Sequence, residues 1–129
     1  RRQSEREFAR TGQRIRETEW DDAGRAVEST WYLNGAMKRR DSRTVFEGTP
    51  ATAVEEWWDN GQLRLRGTYG ERGRPLGVVQ TFHESGPPES ELYYERGNVA
   101  RRRAFDASGR LVLDEEYFED GSRKSTMRR

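Results

Sequence analysis

The sequence predicts an all-β chain, a single-layer, twisted antiparallel meander of repeated β-hairpins. Three observations predict it. An aromatic residue is followed four positions later by Gly again and again, the aromatics recur every 11 to 13 residues, and apolar and polar residues alternate between the turns. The pairs are Phe8/Gly12, Trp20/Gly24, Trp31/Gly35, Trp57/Gly61, Tyr69/Gly73, Phe82/Gly86, Tyr93/Gly97, Phe105/Gly109 and Tyr117/Gly121. They use nine of the 13 glycines, a regularity that chance clustering does not give.

Taken in order, residues 1–10 hold Glu5, Arg6, Phe8 and Ala9 and are expected to form a short helical or irregular segment, too poor in apolar residues to cover a sheet. Hairpin repeats then run over roughly 8–124. Trp31 is expected opposite Met37. The stretch 39–54 breaks the spacing and reads as an irregular insertion around a degenerate unit, Phe46 with Pro50 in the glycine position. The clearest turn is Asp59-Asn60-Gly61. A type I turn followed by a left-handed Gly places Trp57 opposite Leu63 and Glu55 opposite Leu65.

With side chains alternating, Leu63, Leu65, Gly67 and Tyr69 point one way while Arg64, Arg66 and Thr68 point the other. The Gly-rich segment 67–73 is read as a repeat turn, because Arg74-Pro75 follows where a phosphate cradle needs a helix N-terminus. Pro87-Pro88 marks a bend or break. Tyr93 is expected opposite Val99 and Phe105 opposite Leu111. The result is about eight to ten strands with one aromatic face and one charged face. Strict alternation puts Arg101, Arg103 and Glu115 on the aromatic side, which calls for a bulge or a partly wet face.

Composition agrees. The 129 residues form one domain, 36% charged and 31% hydrophobic, and the 11% aromatic content argues for a folded chain. The net charge of +1 provides no bulk field toward nucleic acid or a membrane. With no Cys there is no disulfide, thiolate nucleophile or Cys-based zinc site. No apolar run approaches the roughly 18 to 20 residues that cross a bilayer, so the chain as given reads as soluble. It opens on Arg1-Arg2 without Met, so an upstream piece, either processed off or outside the sequence as given, is an expectation, and the compartment, cytoplasm or envelope, stays open.

The stretch Glu56-Trp57-Trp58-Asp59-Asn60-Gly61-Gln62-Leu63, continuing through Gly67-Thr68-Tyr69, Gly73, Gly77 and Phe82, resembles the bacterial variant of the MORN repeat, labelled YwqK-type antitoxin repeats. The resemblance is closest over 55–86. It implies a linear β-hairpin array without catalytic residues, acting as an antitoxin-like module or within an envelope complex. Lipid-surface or polysaccharide binding is the other role considered.

No catalytic, metal or cofactor site is expected. His83, the only His, has no nucleophile or carboxylate placed against it by spacing. The runs Asp21-Asp22, Glu55-Glu56 and Asp114-Glu115-Glu116 alternate in direction and are read as a solvated face, with pairing to Arg64, Arg66 and Arg102 on adjacent strands as the alternative. Clusters at 38–40, 101–103 and 128–129 are scattered and balanced by carboxylates, which argues against nucleic acid. The residues singled out for partner binding are Tyr32, Trp58, Tyr94 and Phe118, each following a repeat aromatic, with Arg64, Arg66 and Arg102. Trp, Tyr and Arg dominate interface hot spots. The expected partner is another protein, with self-association a further outcome and a membrane surface ranked behind.

Overall fold

The computed structural model describes residues 3–22 and 24–128; Arg1, Arg2 and Arg129 lie outside the described residues. The chain forms strands β1 (Gln3–Phe8), β2 (Arg14–Trp20), β3 (Ala26–Trp31), β4 (Met37–Phe46), β5 (Thr49–Trp57), β6 (Leu63–Tyr69), β7 (Pro75–Phe82), β8 (Pro88–Glu95), β9 (Asn98–Phe105), β10 (Leu111–Tyr117) and β11 (Arg123–Arg128). They make one open 11-stranded antiparallel sheet in sequence order. The all-β meander is therefore as the repeats predict.

Four details differ. Residues 3–8 are a strand paired with β2, where a helical or irregular segment was expected. Each of Gln3–Phe8 is paired in register with a residue of β2, and this ladder outweighs the weak helical pattern. The supposed insertion at 39–54 is an ordinary hairpin of β4 and β5 closed by Glu47-Gly48. Both turn residues have positive φ, 48° and 80°, as a two-residue turn requires. At Pro87-Pro88 the ladder continues, since Pro88 opens β8 opposite Phe82 and the Pro87 carbonyl accepts the His83 amide. Finally, Tyr94 and not Tyr93 faces Val99, because Arg96-Gly97 is another two-residue turn.

The five-residue turns follow one rule. In the turn at 58–62 the Trp58 amide donates to the Gln62 carbonyl at 2.8 Å and the Gly61 amide to the Trp58 carbonyl at 3.0 Å. Gly61 takes φ 89°, the left-handed position that glycine fills at least cost. Trp57 then faces Leu63 as expected, but the next pair is Glu56 with Leu65 and not Glu55 with Leu65. Arg64 is an extra residue bulged out of β6.

That bulge recurs and overturns the picture of one aromatic and one charged face. Leu63 shares a face with Trp57, whereas Leu65 shares one with Glu56. On the first face, cross-strand partners form one polar row over ten strands: Arg6, Glu17, Ser29, Arg40, Glu55, Arg66, Gln80, Glu91, Arg103 and Asp114. Trp31, Trp57, Phe82 and Phe105 stand two residues farther along their strands on that same face. The opposite face carries Val54, Val79 and Leu92, with Tyr69, Tyr94 and Tyr117.

The apolar core is small. Among the described residues only Ala51, Val54 and Val79 are buried apolar side chains. Val54 lies opposite Gly67, and a Cβ on Gly67 would sit 3.0 Å from a Val79 methyl and 3.3 Å from the Tyr69 ring. Gly67 is thus the gap into which Val79 and Tyr69 close.

Much of the remaining order comes from the polar row. Arg66 Nη2 donates to Gln80 Oε1 at 2.9 Å, Gln80 Nε2 to Glu91 Oε2 at 3.0 Å, and Arg103 Nη1 to Glu91 Oε1 at 3.2 Å. Arg101 grips Asp114 with two bonds of 2.9 and 2.7 Å. Arg6 bonds Glu17, whose side chain is buried. The hydrogen bond from Arg6 holds the Glu17 carboxyl below its ordinary 4.5, and that from Arg101 holds Asp114 below 3.8. Native carboxyls with lowered pKa bind fewer protons than the unfolded chain. Their stabilisation is complete above about pH 5 and is lost as pH falls through the native pKa values. The midpoint of thermal unfolding should be level from pH 7 to 5 and drop steadily below pH 4.5. Asp114→Asn should flatten part of that drop, and an unchanged profile would contradict the assignment.

Candidate interaction surface

The turns gather on two rims. One carries residues 9–13, 32–36, 58–62, 83–87 and 106–110; the other carries 21–22 with 24–25, 47–48, 70–74, 96–97 and 118–122. On the first rim, successive turns are stitched together by side chains. Tyr32 Oη donates to the Trp57 carbonyl at 2.7 Å, and Trp58 Nε1–H to the Phe82 carbonyl at 3.2 Å. His83 Nε2 lies 2.9 Å from the Phe105 carbonyl, and because a carbonyl only accepts, Nε2 carries the proton. Asn34 and Asn60 repeat the pattern one step farther out, donating to the Asp59 and Glu84 carbonyls at 3.0 and 2.9 Å.

Each ring on the rim is matched with the bulged residue six positions later. Arg64 lies 4.7 Å from the Trp58 centroid and Lys38 5.5 Å from that of Tyr32. Both are cation–π distances. In the next turn His83 Nδ1 is 4.0 Å from Glu89. On the other rim Lys124 lies 5.6 Å from the Phe118 ring. The bulge explains the interval, since the extra residue turns its side chain toward the ring that follows the repeat aromatic.

The structure separates the seven residues singled out from sequence. Tyr32, Trp58 and Arg64 come together on the first rim. Tyr94 lies near the far end of β8 and Phe118 in a turn of the opposite rim, so the four rings form no single stripe. Arg66 belongs to the polar row, where it bonds Gln80 and lies 5.9 Å from the Phe82 ring. Arg102 stands on the other face, opposite Glu115. Glu55 faces Arg66 and Glu115 faces Arg102 in register, which is the alternative to a merely solvated face, but Glu56 bonds Arg39 at 3.0 Å and Arg64 is taken by Trp58.

Sequence reasoning missed Lys38, His83 and the two Asn tethers. The signal was present as a side-chain donor after the aromatic at 32, 58 and 83, with its partner six residues on. Losing one tether should cost about 0.5 to 1.5 kcal/mol. Tyr32→Phe is therefore expected to lower the urea midpoint by a small, measurable amount while leaving the far-ultraviolet spectrum unchanged.

Fold and surface together define a class, an open single-layer hairpin array whose consecutive turns are interlocked along one rim. No family model matches the chain, and no curated protein sequence matches it.

Proposed function

We propose that the chain is a non-enzymatic interaction module that binds another protein through the rim of Tyr32, Trp58 and Arg64. The observation that carries this reading is the stacking of exposed Lys38 and Arg64 on rings that are themselves tethered to the next turn. Rings held in place lose little freedom on binding, and aromatic and Arg side chains supply most hot-spot energy. Leu33, 71% exposed beside Tyr32 at a turn tip, adds an apolar anchor. The resemblance to bacterial MORN repeats supports an interaction role of the antitoxin or envelope-complex kind.

The test compares the wild-type chain with a Lys38→Glu/Arg64→Glu variant in capture from native lysate with membranes included. Both positions are exposed, so the fold should survive. The reading expects one protein recovered at stoichiometric yield by the wild type and lost by the variant. Equal recovery by both chains, or recovery of lipid alone, would overturn it.

A further inference from the structure

The turn geometry of the first rim builds a chemical liability into it. Each five-residue turn needs Gly at its left-handed position, with φ 91° at Gly35 and 89° at Gly61. Along the rim the residue before that Gly is Thr11, Asn34, Asn60, Ser85 and Ser108, so two of the chain's three Asn stand directly before Gly. Asn is a thermolabile side chain, and before Gly it is at its most reactive, because no side chain blocks attack of the following amide nitrogen on the carboxamide. Asn34 and Asn60 are both exposed, so water reaches them.

In the folded chain three hydrogen bonds hold each Asn out of that reaction. The Gly61 amide donates to the Trp58 carbonyl at 3.0 Å, Asn60 Oδ1 accepts the Gln62 amide at 2.9 Å, and Asn60 Nδ2 donates to the Glu84 carbonyl of the next turn at 2.9 Å. The Gly35 amide likewise donates to the Tyr32 carbonyl at 3.0 Å, while Asn34 accepts the Ala36 amide at 2.9 Å and donates to the Asp59 carbonyl at 3.0 Å. The attacking nitrogen keeps its proton on a carbonyl, and the carboxamide is fixed at both ends. Only local opening of the turn frees them. We propose that Asn34 and Asn60 are sites of spontaneous deamidation gated by the rim, where reaction follows opening of the turn and cuts the stitch to the next one. The freed Gly61 nitrogen gives up its proton and bonds to Asn60 Cγ, the Cγ–Nδ2 bond breaks, and Nδ2 leaves as ammonia with that proton. Water then opens the cyclic imide to Asp or to its β-linked isomer. Asp120, ahead of Gly121 in the last turn, shows what the Asp product keeps, since its Oδ1 accepts the Ser122 amide at 2.9 Å. The Nδ2 donor is lost, and a carboxylate then faces the carbonyl of the next turn. The site stands whether or not the rim recruits a protein.

The test is peptide mapping by mass spectrometry after incubation of the intact chain in mildly alkaline buffer, with and without guanidinium chloride. Each bond is worth about a fivefold shift in an opening equilibrium, so three should slow deamidation of Asn34 and Asn60 roughly a hundredfold in the folded chain relative to the unfolded one. Tyr32→Phe releases the neighbouring bond to the Trp57 carbonyl. It should speed loss of the Asn34 amide several-fold in the folded chain and leave the rate in guanidinium unchanged. Asn98, exposed but followed by Val99, should be the slowest of the three Asn once the chain is unfolded. Asn60→Asp, the product made directly, should unfold at lower urea than the wild type. Four results overturn the proposal: equal rates in the folded and unfolded chain, an Asn34 rate unmoved by Tyr32→Phe, Asn98 as fast as the other two in guanidinium, or an unchanged urea midpoint in Asn60→Asp.

Discussion

Val79→Asp is expected to destabilise the protein by roughly 3 to 5 kcal/mol, the cost of a buried charge without a partner. Val79 is 6% exposed and closes against Gly67, beside Leu92 on the next strand. With so few apolar side chains buried, no neighbouring core can absorb the damage. The adjacent Val78 provides the control. It points to the opposite face and is 39% exposed, so Val78→Asp should cost under about 1 kcal/mol, the range of strand preference. Urea unfolding of the two variants measures the contrast. Similar midpoints would mean that the Val79 face is not where the apolar core lies.

Gly77→Ala is the second large effect. Gly77 holds φ +67°, and a Cβ there would meet the Phe46 ring at 3.0 and 3.2 Å. The left-handed conformation costs about 1 to 2 kcal/mol for a residue with a Cβ, and crowding a packed site adds roughly 1 to 3 kcal/mol. The two contributions separate in a double-mutant cycle. With Phe46→Ala in place the steric part should vanish and leave only the conformational part. An equal penalty in both backgrounds would show that the ring of the β4–β5 hairpin does not rest on Gly77.

Much of this architecture was legible because the aromatic and Gly positions fix where strands end, and five-residue turns fix the nearest pair, as at Trp57/Leu63, Trp31/Met37 and Phe105/Leu111. What lay beyond the first pair was not legible. A single bulged residue such as Arg64 reverses the face of everything after it, and it has no marker of its own in the local pattern. The same holds for 39–54, where exchanging a five-residue turn for Glu47-Gly48 changes the spacing without interrupting the sheet. For the surface, the sequence identified Trp58 and Arg64 as notable but not that they touch. That contact depends on the bulge, and the tether from Trp58 to the Phe82 carbonyl depends on two turns being neighbours in the sheet, 24 residues apart in the chain. Tyr94 and Phe118 were grouped with them by repeat position alone, and successive turns of a meander lie at opposite ends of its strands.

The central claim, that a protein partner docks on the rim of Tyr32, Trp58 and Arg64, is tested most directly by site-specific photocrosslinking in native lysate. A benzophenone side chain would replace Leu33 on that rim, and in a second chain Arg72 on the opposite one; both positions are exposed. The account predicts one discrete protein adduct from position 33, suppressed by excess unlabelled wild-type chain, and none from position 72. A discrete adduct from position 72 alone, or from neither position, would contradict it.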